Sequence, residues 1–482
     1  MINRLMLTRF RAFREAQFEL SPLTIIAGQN SSGKSSIIQS INAILQSSQG
    51  RAFPLDMTLN GERAQLGGYR NVVHGHDART SLGIGVEFDD EGGKVYLEGN
   101  FKVSEEEGHL FPTLVRAEGG SFGSLKLEWN KRSQKFNIYI EPSDELANRR
   151  RGEFLANVQR VFDQVDDARK EEIISLLKER VGSYSDQSSF SQAIKDLYVA
   201  AADRVFSEGE REVRKGVSYA EQSFAKLLQQ ASSVEFFDLI RRRMVESLAR
   251  LRVRCSYIGP VRANPSRYFP LAGGDLTVDV SGEGMSRTLA RWKDRRTALI
   301  GEVKSSLAKL ELASDIAISV EHDEFLKVAI KPHGRTFSDS LADVGFGLSQ
   351  VLPMIVADIN LPKGGTLMVN QPEIHLHPSS QALLANYFCE RLDKRQYIVE
   401  THSEYLINRV RLLVARGEIK KELVRIVYCG SDGKGGSRIF DVSVEEDGSL
   451  ANAPSDFFST YSADAFGIAM AVMNEGEDNG SK

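Results

Sequence analysis

The octapeptide GQNSSGKS, residues 28–35, constrains this chain more than any other stretch. It fits G-x-x-x-x-G-K-S, follows the apolar run LTIIA (23–27) and precedes SSIIQSINAILQSS (35–48), whose apolar residues recur at helical spacing. A strand turning through glycines into a helix is the context this motif requires. Gly28 and Gly33 let the backbone curl so that its N–H groups point at phosphate oxygens, with Asn30, Ser31, Ser32 and Ser36 completing the cradle. The helix N-terminus adds the positive end of its dipole. Lys34 is placed to reach the β- and γ-phosphates of ATP, and Ser35 to ligate Mg²⁺.

The rest of the chain divides by pattern. Residues 1–141 read as mixed β and α: RLMLTRFRAF and AQFEL are short strands, and 80–140 is strand-rich with turn signals between SLGIGVEF, KVYLEGNFKV, SLKLEWN and KFNIYIEP. This predicts an antiparallel β lobe. Residues 142–254 carry helical periodicity and almost no strand signal, which predicts a helical, coiled-coil-like insertion. Its arginine triplets, Arg149–Arg151 and Arg241–Arg243, read first as solvated helix faces and second as nucleic-acid contacts. Residues 255–482 alternate strand and helix: a helix around 285–312, the strand FLKVAI, the helix LSQVLPMIVADI, then TLMVN, SSQALLANYFCERL, QYIVET and SEYLINRVRLLVAR. That alternation predicts a largely parallel sheet in an α/β protein, with ELVRIVYC and GSRIFDVSV adding strands near the end.

Composition excludes several classes. The 482 residues hold 61 basic and 65 acidic side chains, a net charge of -4, which is no footprint of a chain devoted to nucleic acid. The three cysteines, at 255, 389 and 429, have neither metal-type spacing nor a disulfide pattern, so a reducing cytoplasm is expected. MINRLMLTRFRAF lacks an apolar signal core, and no run of about 18 apolar residues exists to span a membrane.

Three further stretches carry chemistry. YIVETHSEYLI (397–407) sets His402 just past a short strand, where a histidine is either structural or a γ-phosphate sensor. DVGFGLSQVLPMI (343–355) puts Gly345, Gly347 and Ser349 at a helix start, read either as an N-cap or as a second anion site supplied to another subunit. GTLMVNQPEIHLHP (364–377) runs as a strand into Asn370 and Gln371, with its acid displaced to Glu373. An amide accepts a hydrogen bond from metal-bound water but cannot deprotonate the attacking water. Glu373 is therefore the candidate base or water-positioner, against a bland reading as a helix-capping acid. His375 and His377 lack a third ligand of suitable spacing and read as loop structure or as polar contacts near the nucleotide.

In this order, with YIGPVR, QPEIHLHPSSQ and ETHSEYLINRV, the pieces resemble an ABC-type P-loop ATPase of the SMC/RecF-like branch that includes overcoming-lysogenization-defect (OLD) ATPases. The resemblance covers most of the chain and implies a mixed β-sheet core binding ATP and Mg²⁺. Carried over by motif, Gly28, Gly33, Lys34 and Ser35 are Walker A, and Gly345, Gly347 and Ser349 a degenerate signature acting in trans. Residues 366–373 are Walker B, with Asn370 on the Mg²⁺ side through water and Gln371 at the usual position of the catalytic acid. His377 falls in the D-loop region, His402 is the switch histidine, and Gln65 in NGERAQLGGYR is the candidate Q-loop ligand. The amides imply slow hydrolysis.

OLD-type chains often continue into a Toprim nuclease. RIFDVSVEEDGSL supplies Asp441, Glu445, Glu446 and Asp447, but the tail is too short for that fold, so a nuclease effector is expected on a separate polypeptide. The chain is similar to the ATPase family of the phage anti-restriction induced system (PARIS), and related two-gene systems such as Septu have similar ATPases. The resemblance implies a cytoplasmic homo-oligomer of at least two copies, which holds the effector and releases it on meeting a phage-encoded trigger protein. The rival expectation is a DNA-repair or chromosome-associated ATPase that binds DNA directly.

Overall fold

The computed structural model describes residues 1–50, 53, 54, 56–103, 110–130, 132, 135–143, 239–271, 277–322, 324–454 and 457. Most of the predicted insertion, residues 144–238 with Arg149–Arg151, lies outside the described residues. The helix that carries Arg241–Arg243 runs over 239–253. The chain forms two compact units, one of Met1–Asp89, Asn100–Phe111 and Leu248–Lys482, the other of Asp90–Gly99 and Pro112–Ser247.

The first unit is built on one twisted mixed sheet. Strands β1 (Ile2–Phe10), β2 (Phe13–Glu19) and β3 (Leu23–Gly28) come first, then helix α1 (Lys34–Ser47) and β4 (Leu82–Asp90). After β5 (Gly93–Val103), β6 (Leu110–Gly119), β7 (Gly123–Asn130) and β8 (Lys135–Pro142), the chain returns as β9 (Cys255–Ile258). There follow β10 (Phe269–Pro270), α2 (Met285–Arg295), α3 (Thr297–Lys309), β11 (Ala313–Glu321), β12 (Phe325–Pro332) and β13 (Asp339–Ser340). The last part contains α4 (Phe346–Asn360), β14 (Gly365–Asn370), α5 (Pro378–Cys389), β15 (Arg395–Glu400), α6 (Glu404–Ala415), β16 (Val424–Ser431) and β17 (Ser437–Val444). In the unit's sheet the strand order is β4-β1-β2-β17-β16-β3-β15-β14-β9. The run β16-β3-β15-β14-β9 is parallel, and β1 pairs antiparallel with both β2 and β4. This is an α/β fold.

The central strands are apolar throughout because both faces are covered. On β3, Leu23, Ile25 and Ala27 enter a large core beneath α4, α5 and α6, as do Leu367 and Val369 of β14 and Tyr397 and Val399 of β15. The alternate residues Ile26, Met368 and Ile398 are equally buried, on the opposite face from that core. On that side α1 packs on β3 and β15, bringing the buried Ile37, Ile38 and Ile41. A separate antiparallel sheet, β10-β12-β11 with β13 on β12, contributes Leu326, Val328 and Ile330 to the large core.

The sequence expected one helix around 285–312. There are two, broken at Arg296, whose φ of −147° and ψ of 54° are incompatible with helix continuation. β11, which follows them, has no counterpart in the sequence reading; its alternation is masked because only Ala313 and Ile316 of the strand are fully buried. In the second unit, β6, β7 and β8 pair as an antiparallel meander around Val115, Ala117, Phe122, Leu125 and Leu127.

Candidate nucleotide-binding site

The C-terminal ends of β3, β15 and β14 lie side by side, and each delivers a polar loop to the same edge of the sheet. Crevices outside the carboxyl ends of parallel strands are where open α/β sheets bind ligands. Gly28 ends β3 at φ 142°, and a Cβ there would lie 2.2 Å from the carbonyl oxygen of Cys429 on β16, so only glycine fits. The loop turns through Gln29–Ser32 and enters α1 at Gly33, the left-handed N-cap. Lys34 is buried, its Nζ donating to the carbonyls of Gly28 (3.1 Å) and Gln29 (2.5 Å). Burial lowers the Lys34 pKa, and the Glu400 carboxylate opposes that shift.

A cleft of about 1030 Å³ opens over this loop. Asn30, Ser31, Ser32, Gly33, Lys34, Ser35 and Ser36 floor it. Arg11, His74 and His76 wall one side, and Lys434–Gly436 of the β16–β17 hairpin another. The volume matches a site for a nucleotide-sized ligand.

Behind the loop is a buried polar cluster. The Ser35 hydroxyl donates to Glu400 Oε1 over 2.8 Å, and the Asn370 amide donates to Glu400 Oε2. The backbone N–H of Gln371, a residue at φ 47°, donates to the Glu400 carbonyl over 2.6 Å. Glu373 Oε1 accepts from the backbone N–H of His402 over 2.8 Å. Burial pushes both Glu373 and Glu400 above the ordinary carboxylate range. His402 itself is exposed, its pKa lowered by desolvation and by the Lys34 charge.

Arg262, from YIGPVR, ties the cluster to the sheet. It is 6% exposed and donates to the carbonyls of Gly259, Gln350, Asn370 and Gln371, linking α4 to the end of β14. Desolvation pulls its guanidinium down to about 10.

These residues fit a nucleotide with a divalent cation. Ser32 Oγ, Asn370 Oδ1 and Glu373 Oε2 are buried polar atoms without a protein partner around the loop, unusual enough to need a reason. The hydroxyl of Ser35 beside a carboxylate is an all-oxygen donor set suited to a hard cation. A family model described as an AAA ATPase domain matches residues 1–407.

The chain belongs to the AAA ATPase domain family.

This AAA ATPase chain is also similar to the OLD nuclease of Thermus scotoductus (strain ATCC 700910 / SA-01), 21% identical over 439 residues. The match covers 90% of this chain and 65% of that relative, so the chain spans under two thirds of the length of the curated relative it matches. Among solved structures it is similar to the Smc head bound to the C-winged helix domain of ScpA, at 11% identity and a TM-score of 0.44, covering 92% of this chain and 99% of that one. The SMC head domain from Thermotoga maritima is similar at 12% identity and a TM-score of 0.36, with the same two coverages.

The remaining sequence-predicted residues of the ATPase fall in distinct places. Gly345 and Phe346 are exposed at the start of α4. Gly347 is buried there, where a Cβ would lie 2.4 Å from the His375 carbonyl oxygen. Ser349 is one turn in and buried, its hydroxyl donating to the Phe346 carbonyl over 2.7 Å. His375 packs edge-on against Phe346 at 5.0 Å between ring centroids. His377 is the N-cap of α5, with Nδ1 accepting from the Ser379 amide. Gln65 is exposed in a local turn and donates to the Gly61 carbonyl over 2.7 Å, away from the residues that line the cleft. Among the described residues no three His, Cys, Asp or Glu side chains cluster as a metal site by themselves, and no helix is long and apolar enough to cross a membrane.

Sequence reading passed over Glu400 and Arg262. Glu400 sits inside the quoted ETHS stretch, and the available signal was an acid ending one strand where the companion strand ends in amides. That the two ends are adjacent depends on strand order.

Proposed function

We propose that this chain is an ATP-binding, slowly hydrolysing sensor and scaffold of a bacterial anti-phage system, which holds a separate Toprim-type nuclease and releases it on meeting a phage protein. The observation that carries the ATPase part is the Ser35–Glu400–Asn370 cluster directly beneath the Lys34 loop. Backbone N–H groups of residues 30–35 and Lys34 hold the phosphates, while Arg11 and the 434–436 turn flank the cleft. Magnesium, when bound, neutralises charge on the β- and γ-phosphates. Glu373, anchored through Oε1 and free at Oε2, is the acceptor toward which the attacking water is oriented. Amides at Asn370 and Gln371, with Glu373 as the carboxylate left to orient water, favour slow turnover.

The exposed start of α4, at Gly345 and Phe346, supports composite sites between two copies, in which this helix start would meet a partner's γ-phosphate. The effector and trigger rest on the resemblance of QPEIHLHPSSQ and ETHSEYLINRV and on the similarity to a protein named OLD nuclease. Co-purification of the native complex tests this: a Toprim-type nuclease that elutes with the ATPase and leaves it when a phage protein is added is expected. Metal-dependent nucleic-acid cleavage by this chain alone overturns it. The second reading, an SMC/RecF-like ATPase acting on DNA, requires salt-dependent DNA binding by the isolated chain, against which its net charge of -4 argues.

A further inference from the structure

Asn370 and Glu400 are the last residues of two adjacent parallel strands and are register partners. Side chains of register partners leave the sheet on the same face, about 4.8 Å apart. Both are almost wholly buried, at 1% and 3% exposure. In P-loop NTPases the Mg²⁺ ion is held by the loop Ser/Thr and by an acid at the end of a neighbouring strand. Here β14 ends in an uncharged amide. The carboxylate that meets the Ser35 hydroxyl belongs instead to β15, with Oε1 at 2.8 Å. The Asn370 amide nitrogen is spent on Glu400 Oε2, which leaves Asn370 Oδ1 buried and without a protein partner. Glu373, the other buried carboxylate here, is held through Oε1 by the His402 amide.

We infer that Glu400 supplies the anionic oxygen for the divalent cation that accompanies the nucleotide at Ser35, and that Asn370 is a positioning residue that orients this carboxylate and offers Oδ1 to the cation's water shell. The acidic position is thus shared between two strand ends: an acid on either one reaches the same point. Mg²⁺ in nucleotide sites is held by one or two carboxylates together with the substrate phosphates, and among the strand ends here Glu400 is the carboxylate that meets Ser35. The inference rests on the ATP-binding reading and deepens it.

Mn²⁺, as a probe for Mg²⁺, and a non-hydrolysable ATP analogue test it by electron paramagnetic resonance on the full chain, with analogue affinity measured separately in EDTA. Glu400→Gln keeps the side-chain shape and is expected to weaken Mn²⁺ at least tenfold, while metal-free analogue affinity stays within about threefold. The double variant Asn370→Asp/Glu400→Gln returns the charge to β14 and is expected to recover Mn²⁺ binding. Wild-type Mn²⁺ affinity in Glu400→Gln overturns the inference, as does a double variant that folds and binds Mn²⁺ no better than Glu400→Gln. If Glu400→Gln fails to fold, the double variant decides alone. Failure of the wild-type chain to bind the analogue with Mg²⁺ or Mn²⁺ present marks failure of the ATP reading instead, so the two are separable.

Discussion

Lys34 is held by the carbonyls of Gly28 and Gln29 beneath the cleft, and no other buried cation faces the loop floor among the residues lining it. Lys34→Ala should weaken ATP binding by about 100-fold, since a point charge on the β- and γ-phosphates is lost; tight binding retained in a titration with fluorescent ATP contradicts the assignment. Glu373→Gln should slow hydrolysis by about 100-fold, the range of a lost general base, while ATP affinity changes little. Unchanged turnover leaves Glu373 a structural role, anchored by the His402 amide. Its ionisation also has a sign in stability. The folded pKa lies above the ordinary 4.5, so between 4.5 and the raised value the folded chain holds more protons than the unfolded one. This carboxyl's contribution therefore falls as pH rises through that window. Glu373→Gln cannot ionise, and its Tm should gain on wild type from pH 4.5 to neutrality; a pH-independent difference refutes this.

α4 is the element that joins the site to the core. Its start meets the loop after β14 where Gly347 approaches the His375 carbonyl, and Arg262 bonds its Gln350 carbonyl. Gly347→Ala forces backbone to move and should cost about 2 kcal/mol, read by urea denaturation. At the other end Asp358, 1% exposed, accepts from the hydroxyls of Tyr387 on α5 (2.6 Å) and Tyr397 on β15 (3.1 Å) and faces Arg395 at 3.5 Å. Burial raises its pKa while the tyrosines and arginines oppose that shift. Asp358→Ala leaves the buried hydroxyls of Tyr387 and Tyr397 without their acceptor, while Arg395 keeps the carbonyls of Leu361 and Pro362, and should cost about 2–4 kcal/mol. A loss below 1 kcal/mol in the same denaturation experiment shows that the network does not hold α4 to the sheet.

For the whole molecule, composite sites predict self-association that needs nucleotide. With ATP and Mg²⁺, Glu373→Gln should sediment as a dimer or larger, and Phe346→Glu, at the exposed start of α4, should remain a monomer under the same conditions. Nucleotide-independent sedimentation counts against trans-acting signatures. The loop, its strand and its helix were legible because GQNSSGKS is contiguous and its phosphate-cradling turn is set by local backbone geometry. The α/β alternation was legible for the same reason: period and turn chemistry are short-range. The break at Arg296 and strand β11 were not, because half-exposed alternation and a single non-helical residue leave little periodic signal. Least legible was which carboxylate meets Ser35. The chain separates Ser35 from Glu400 by 365 positions, and Asn370 from Glu400 by 30. Only the order β3-β15-β14 and the register that sets Asn370 opposite Glu400 bring them together. The sequence by itself determined that a phosphate-binding loop is present, since that chemistry is local. Tertiary structure decided which acid serves it, because strand order is settled by burial of both sheet faces across the whole core and not by any one segment.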